Sequence, residues 1–218
     1  MKKALLVQGG WDGHDPVGVS MLFKEILETE GFSVQIHDSL NPFADPVLLS
    51  GVDLIVPIWT MGKIEEQSCR NVLAAVEGGA GIAGCHGGMC DAFRDTTEWQ
   101  FMTGGQWVAH PGNDGVEYRV RIKRGSSPIT EGIADFDVRT EQYYLHVDPA
   151  VDVLATTRFP VADGPHAANG EVDMPVVWTK RWGRGKVFYN SLGHQAGVFG
   201  APEARELMRR GFLWAART

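Results

Sequence analysis

The first hundred residues alternate short apolar runs with amphipathic stretches. Ala4–Val7 is a continuous apolar run, as expected of a strand buried on both faces. The segment after it, QGGWDGHDP, has the Gly, Asp and Pro of a loop. From there Val17, Met21, Leu22, Ile26 and Leu27 recur at helical spacing, with Pro16 suited to the first turn and Gly31 placed to end it. FSVQIH and GVDLIVPIW predict the second and third strands. IEEQSCRNVLAAVEGG predicts a helix with Ile64, Val72, Leu73 and Val76 as its apolar set, and AGIAG a short fourth strand. Strands alternating with helices predict βαβ units in a parallel sheet.

Beyond Gly104 the pattern changes. VEYRVRIKR, FDVRTEQYYLHV, VDVLATTRF and MPVVWTKRWGRGKVFYNSLG are rich in Val, Tyr, Phe, Thr and Trp and predict antiparallel strands. WGRG separates two such runs as a hairpin turn, and the second run ends in a glycine turn at 191–194. A last helix starts near Pro202, with Glu203 and Glu206 early and Arg209, Arg210 and Arg217 late, which complements its dipole. No repeat, low-complexity linker or sharp composition break divides the chain. The pattern therefore predicts one domain over residues 1–218: an α/β fold with a mostly parallel sheet, flanking helices and an antiparallel β-rich insertion.

Composition narrows the function. A chain of 218 residues can bury an ordinary core without a disulfide framework. Cys69, Cys85 and Cys90 are odd in number, lack metal-finger spacing and suit a reducing compartment. The apolar run after Lys2 and Lys3 is too short for a signal peptide, and no run reaches membrane-spanning length. The expected location is the cytoplasm, with no membrane partner. A formal charge of −7 argues against broad phosphate binding and nucleic acid, and favours a small-molecule partner.

In an open parallel sheet, ligands bind beyond the carboxyl ends of the strands. His14 follows the first strand, His86 the fourth and His194 the last, so all three can share that rim. The stretch AGCHGGMCDAFRD has the small flanking residues that a reactive side chain on a tight strand-to-helix turn requires. Two frames fit: Ala83 and Gly87 around Cys85, or Gly84 and Gly88 around His86. If the turn spans 85–87 and a helix begins near Met89, Asp91 falls in its first turn and Cys85 points back as an apolar plug. Cys85 with His194 as base would be a glutamine-hydrolysing nucleophile. Asp12 and His14 in GHDP, His110 in GGQWVAHPG, and Glu141, Tyr143 and His146 in TEQYYLH mix acid or imidazole with aromatic rings, a combination suited to sugars. His14, His86, His110, His146 and His194 could also supply nitrogens to a divalent metal such as Zn²⁺, although no compact H-x-x-x-H pair is present.

Taken in order, GHDP, GCHGGMCDAFRD, GGQWVAHPG, TEQYYLHVDP and the closing LGH resemble the trehalose-utilisation, or ThuA-like, family, over nearly the whole chain. The resemblance implies a flavodoxin-like fold of the class I glutamine amidotransferase type. It also implies a histidine where amidotransferases carry cysteine, here His86, followed by an acid and an arginine at Asp91 and Arg94. The family's HP falls on His110 and Pro111, its acid on Glu141 and its last histidine on His194. Thr140 stands where the pattern often has Asp. The implied function is an enzyme of carbohydrate catabolism acting on trehalose-derived or other keto-sugars, with His86, His194 and Glu141 in acid/base roles. Asp12, His14, Gly87, Gly88, Asp91, Arg94, His110, Tyr143 and His146 are then the expected substrate-binding residues. A divalent metal and a homodimer stay open, as do amidohydrolysis through Cys85 and a non-catalytic sugar-binding module.

Overall fold

The computed structural model of the chain describes residues 1–125 and 127–218. Its first half builds the parallel part of a sheet from β1 (Lys3–Gly10), β2 (Ser33–His37), β3 (Leu54–Thr60) and β4 (Gly81–Cys85). The connecting helices are α1 (Pro16–Thr29), α2 (Pro46–Ser50) and α3 (Glu66–Glu77). The chain then runs through α4 (His86–Cys90), α5 (Thr97–Thr103), β5 (Gly105–Ala109), β6 (Val116–Ile122), β7 (Phe136–Thr140), β8 (Tyr144–Val147), β9 (Asp152–Phe159), β10 (Val172–Trp182), β11 (Gly185–Asn190) and α6 (Pro202–Ala215). The strand order is β2-β1-β3-β4-β11-β10-β9-β6-β7, with β5 and β8 paired apart as a two-stranded sheet. β11 joins β4 in parallel, whereas β10, β9, β6 and β7 continue the sheet antiparallel. Apart from β5 and β8, the β-rich insertion therefore extends the same sheet, which is mixed and not mostly parallel as the sequence pattern predicts.

Side-chain alternation divides the core between the two faces of the sheet. Leu6 of β1 packs with Val19, Phe23 and Leu27 of α1 and with Leu207, Met208 and Phe212 of α6. Leu5 and Val7 face the other way, toward Cys69, Val72 and Val76 of α3 and Trp99 and Met102 of α5. Both faces of β1 are covered, which is why its apolar residues form an unbroken run.

Several elements depart from the sequence pattern. The face of α1 is rotated: Val17 and Met21 are exposed, and Phe23 anchors the buried side through ring contacts with Phe199 and Phe212. QGG is strand, because Gly9 and Gly10 continue the ladder with β3. A Cβ on Gly10 would lie 2.1 Å from the carbonyl oxygen of Thr60, so only glycine permits that approach. The segment FDVRTEQYYLHV is two strands, β7 and β8, broken at 141–143. Helix α4 begins at His86 and not near Met89, so Asp91 follows it and is not in its first turn.

Candidate active site

Four chain segments converge at the carboxyl ends of the parallel strands. His14 closes a short 3-10 turn after β1, and the left-handed Asp15 behind it caps α1 through Gly18 N–H. His86 lies at the junction of β4 and α4 with φ +47, so the strained turn is centred on His86 and not on Cys85. Glu141 lies in the break between β7 and β8. His194 follows the glycine turn after β11, where Gly193 has φ +108. All four side chains are buried, and one ligand atom from each lies within 4.8 Å of the others.

Hydrogen bonds fix how these groups face one another. The Nδ1–H of His86 donates to the Ser191 carbonyl at 2.8 Å, which directs the Nε2 lone pair at Glu141 Oε2, 3.1 Å away. His14 Nδ1 lies 2.8 Å from the Thr60 hydroxyl, which leaves its Nε2 3.9 Å from the same carboxylate oxygen. His194 Nδ1 lies 3.4 Å from it, buried and without a well-aligned hydrogen bond. The Tyr189 hydroxyl donates to the His86 carbonyl at 3.1 Å and that of Tyr118 to the Glu141 carbonyl at 3.0 Å, so backbone as well as side chains are held.

Burial opposes charge on the imidazoles. It is the largest influence on His14, reinforced by His86 and His194, and together they push its pKa down to about 3. Burial likewise lowers His86 against the opposing pull of Glu141. For Glu141 burial pushes upward, but the adjacent His194 and His86 imidazoles prevail and the carboxyl lies below its ordinary range. His194 rises despite burial, because Glu141 lies beside it. Between about pH 6.5 and 3 the unfolded chain takes up a proton at His14 that the folded chain refuses. Glu141, depressed when folded, also withdraws its contribution as the medium becomes acid. Metal-free protein should therefore lose stability steadily as pH falls through that window, as urea melts at pH 7, 6, 5 and 4 will test. An increase in stability on acidification would refute this electrostatic picture.

This donor set is capable of coordinating a metal ion. Three imidazoles and one carboxylate suit Zn²⁺ or a similar divalent ion, and ligands at about 2.0–2.1 Å in a tetrahedron stand about 3.4 Å apart. The separations of 3.1, 3.4 and 3.9 Å from Glu141 Oε2 bracket that spacing. A lone pair aimed at a carboxylate and the orphaned His194 nitrogen are what a cation between them would satisfy. The Ser191 carbonyl fixes the His86 tautomer as a supporting acceptor does for a metal-binding histidine.

Gly87 sets the distance between the loops. A Cβ there would meet His14 Cε1 and Nδ1 at 2.6 Å, and one on Gly88 would meet the Ile58 backbone at 2.9 Å. Gly87→Ala should therefore displace His14 and weaken Zn²⁺ binding by about 10–100-fold, the scale of a lost supporting contact. Titration calorimetry on folded variant would show it; unchanged affinity would mean that His14 is not a ligand.

The remaining candidates separate into two groups. His110 lies at the outer edge, its Nε2 3.9 Å from Glu141 Oε1, and Tyr143 stacks on His86 at 3.8 Å between ring centroids. Asp91 is buried and clamps Arg94 through both oxygens, with the guanidinium over the Trp107 ring. Asp12 and His146 are not brought to the cluster. Asp12 is exposed in its turn, and His146 faces outward from β8 while its neighbour Leu145 packs inward. Cys85 is almost wholly buried, and burial pushes its thiol pKa up. Thr60, Ser191, Tyr118 and Tyr189 support the site from positions with no motif of their own.

A family model for trehalose utilisation, ThuA, matches residues 3–215. The chain belongs to the ThuA family. No curated protein sequence matches it. Among solved structures, a ThuA-like protein from Bacteroides uniformis superposes with a TM-score of 0.79 at 18% identity, covering 98% of this chain and 91% of that one. A second, from Parabacteroides merdae, gives 0.77 at 20% identity, with 98% and 89% covered. A β-galactosidase from Rahnella sp. R3 gives 0.59 at 16% identity, with 95% of this ThuA chain matching 32% of that enzyme. At these identities the likeness is one of fold. ThuA membership makes this a carbohydrate-related protein with a histidine-rich cluster at its sheet rim.

Proposed function

We propose that this ThuA protein is an enzyme of carbohydrate catabolism that performs acid/base chemistry on a trehalose-derived or other keto-sugar at the His14–His86–Glu141–His194 cluster. The observation that carries this reading is the burial of four convergent donors, with the His86 lone pair held against Glu141 by the Ser191 carbonyl. A ketone makes the neighbouring C–H bonds acidic, so lyase, hydratase and isomerase steps all need a proton moved beside a polarised oxygen. A divalent ion held by these four residues would polarise that oxygen or lower the pKa of a water. His14, His86 and His194 hold the centre, and Glu141 supplies the negative charge that draws it together. His110, only partly buried beside Glu141 Oε1, is placed at the outer edge of the cluster to meet the substrate. Trp11 against His14 and Trp107 beside His110 give the rim aromatic faces for a sugar ring.

The same proposal includes a flavodoxin-like, class I glutamine amidotransferase-like fold, a single domain over residues 1–218 and a cytoplasmic location. The strained turn at the end of β4 and three free, buried cysteines support these assignments. The experiment is a turnover screen of 3-keto derivatives of trehalose, sucrose and maltose with product identification. Turnover of at least one is expected. Binding without turnover would turn the reading into one of a sugar-binding module, and glutamine hydrolysis blocked by iodoacetamide would return it to Cys85.

A further inference from the structure

Three tyrosines bury their rings around the cluster, and one differs from the other two. Tyr118 and Tyr189 each donate a hydrogen bond to the backbone of a cluster residue, Glu141 and His86 respectively. Tyr143 is only 3% exposed and its ring lies on that of His86, 3.8 Å between centroids and 26° between planes. Its hydroxyl makes no hydrogen bond to any described residue. It is also absent from the unpartnered polar atoms sealed away from solvent, such as Trp59 Nε1 and Trp107 Nε1. A buried phenol ordinarily finds a partner, since an unpaired O–H away from water is costly. This hydroxyl belongs to a ring held by its stack on His86, and it is unpartnered without being wholly sealed from solvent.

Resting on the function proposed above, we infer that Tyr143 is a catalytic residue whose hydroxyl donates a hydrogen bond to the carbonyl oxygen of the bound keto-sugar. Proton removal next to a ketone puts negative charge on that oxygen. A donor already aimed at it strengthens as the charge grows, with no reorganisation. The phenol keeps its proton throughout and forms no covalent bond. Its stacking on His86 fixes the donor relative to the cluster, so ring and hydroxyl have separate roles.

The test compares Tyr143→Phe with Tyr118→Phe and wild type in the full chain. Removing an unpartnered hydroxyl should leave the melting temperature of the metal-free protein unchanged or raised, whereas Tyr118→Phe, which strands the Glu141 carbonyl, should lower it by about 2–4 °C or more. Zn²⁺ titrations of Tyr143→Phe should match wild type. With 3-keto-trehalose, kcat should fall about 100-fold or more while KM changes little, the signature of a donor used mainly in the transition state. A lowered melting temperature for Tyr143→Phe would make the phenol structural and overturn the inference. An active wild type with equally active Tyr143→Phe would overturn it alone. A wild type that turns over no keto-sugar would overturn the proposed function and this role together.

Discussion

His86→Ala is expected to lose about a hundredfold or more in keto-sugar turnover, while Cys85→Ala keeps most of it. The two residues are neighbours at one strand end, but the turn gives them opposite fates. His86 takes the left-handed conformation and projects into the cluster, where it meets Glu141, Ser191 and Tyr143. Cys85 remains extended and enters the core, so its thiol is apolar filling. Replacement of Cys85 by alanine costs packing and leaves the site intact. Replacement of His86 removes a ligand atom and the ring on which Tyr143 stacks. Thermal melts accompany the turnover assays so that only variants of matched folding are compared. The reverse order of activities would make Cys85 the nucleophile and remove the histidine cluster from the chemistry.

Glu141→Gln should separate stability from function even more cleanly. The amide keeps the shape of the side chain and can donate N–H to the His86 lone pair that now faces a carboxylate at 3.1 Å. The metal-free variant should therefore fold and melt near wild type. It loses the only negative charge among the four donors, so Zn²⁺ affinity should fall by more than the ~100-fold that a supporting contact alone is worth. Wild type in Zn²⁺ at a hundred times its Kd gains about 2.7 kcal/mol of stability, and the variant at that concentration should gain little. Melting curves with and without Zn²⁺ read this directly. Equal stabilisation of both proteins would exclude Glu141 as a ligand.

The parts of the fold set by local pattern were legible in the sequence. Apolar runs located β1, β3 and β4, and small residues around His86 marked the turn. The short helices α2 and α5 lacked a long enough period to register. In α1, counting apolar residues alone placed Leu22, Ile26 and Leu27 correctly but put Val17 and Met21 on the buried face, where Phe23 and its ring contacts stand instead. The break at 141–143 was hidden because Tyr143, Tyr144, Leu145 and Val147 are all strand formers, so nothing local interrupts the run. That same β-pattern made His146 look like a neighbour of Glu141, whereas strand alternation turns it outward. Thr60 and Ser191 stayed invisible for another reason: their bonds to His14 and His86 span 46 and 105 residues and rest on a hydroxyl and a backbone carbonyl. A metal site without a compact histidine pair is likewise visible only after β1, β4, β7 and β11 have been brought to one rim.

The most direct test of the central claim is the rate of 3-keto-trehalose turnover by the purified protein before chelation, after it, and after Zn²⁺ or another divalent ion is restored. The account predicts turnover that is lost with the metal and returns with it, and that His86→Ala and Glu141→Gln do not recover. Undiminished turnover in the chelated protein, or none in the metal-loaded one, would contradict it.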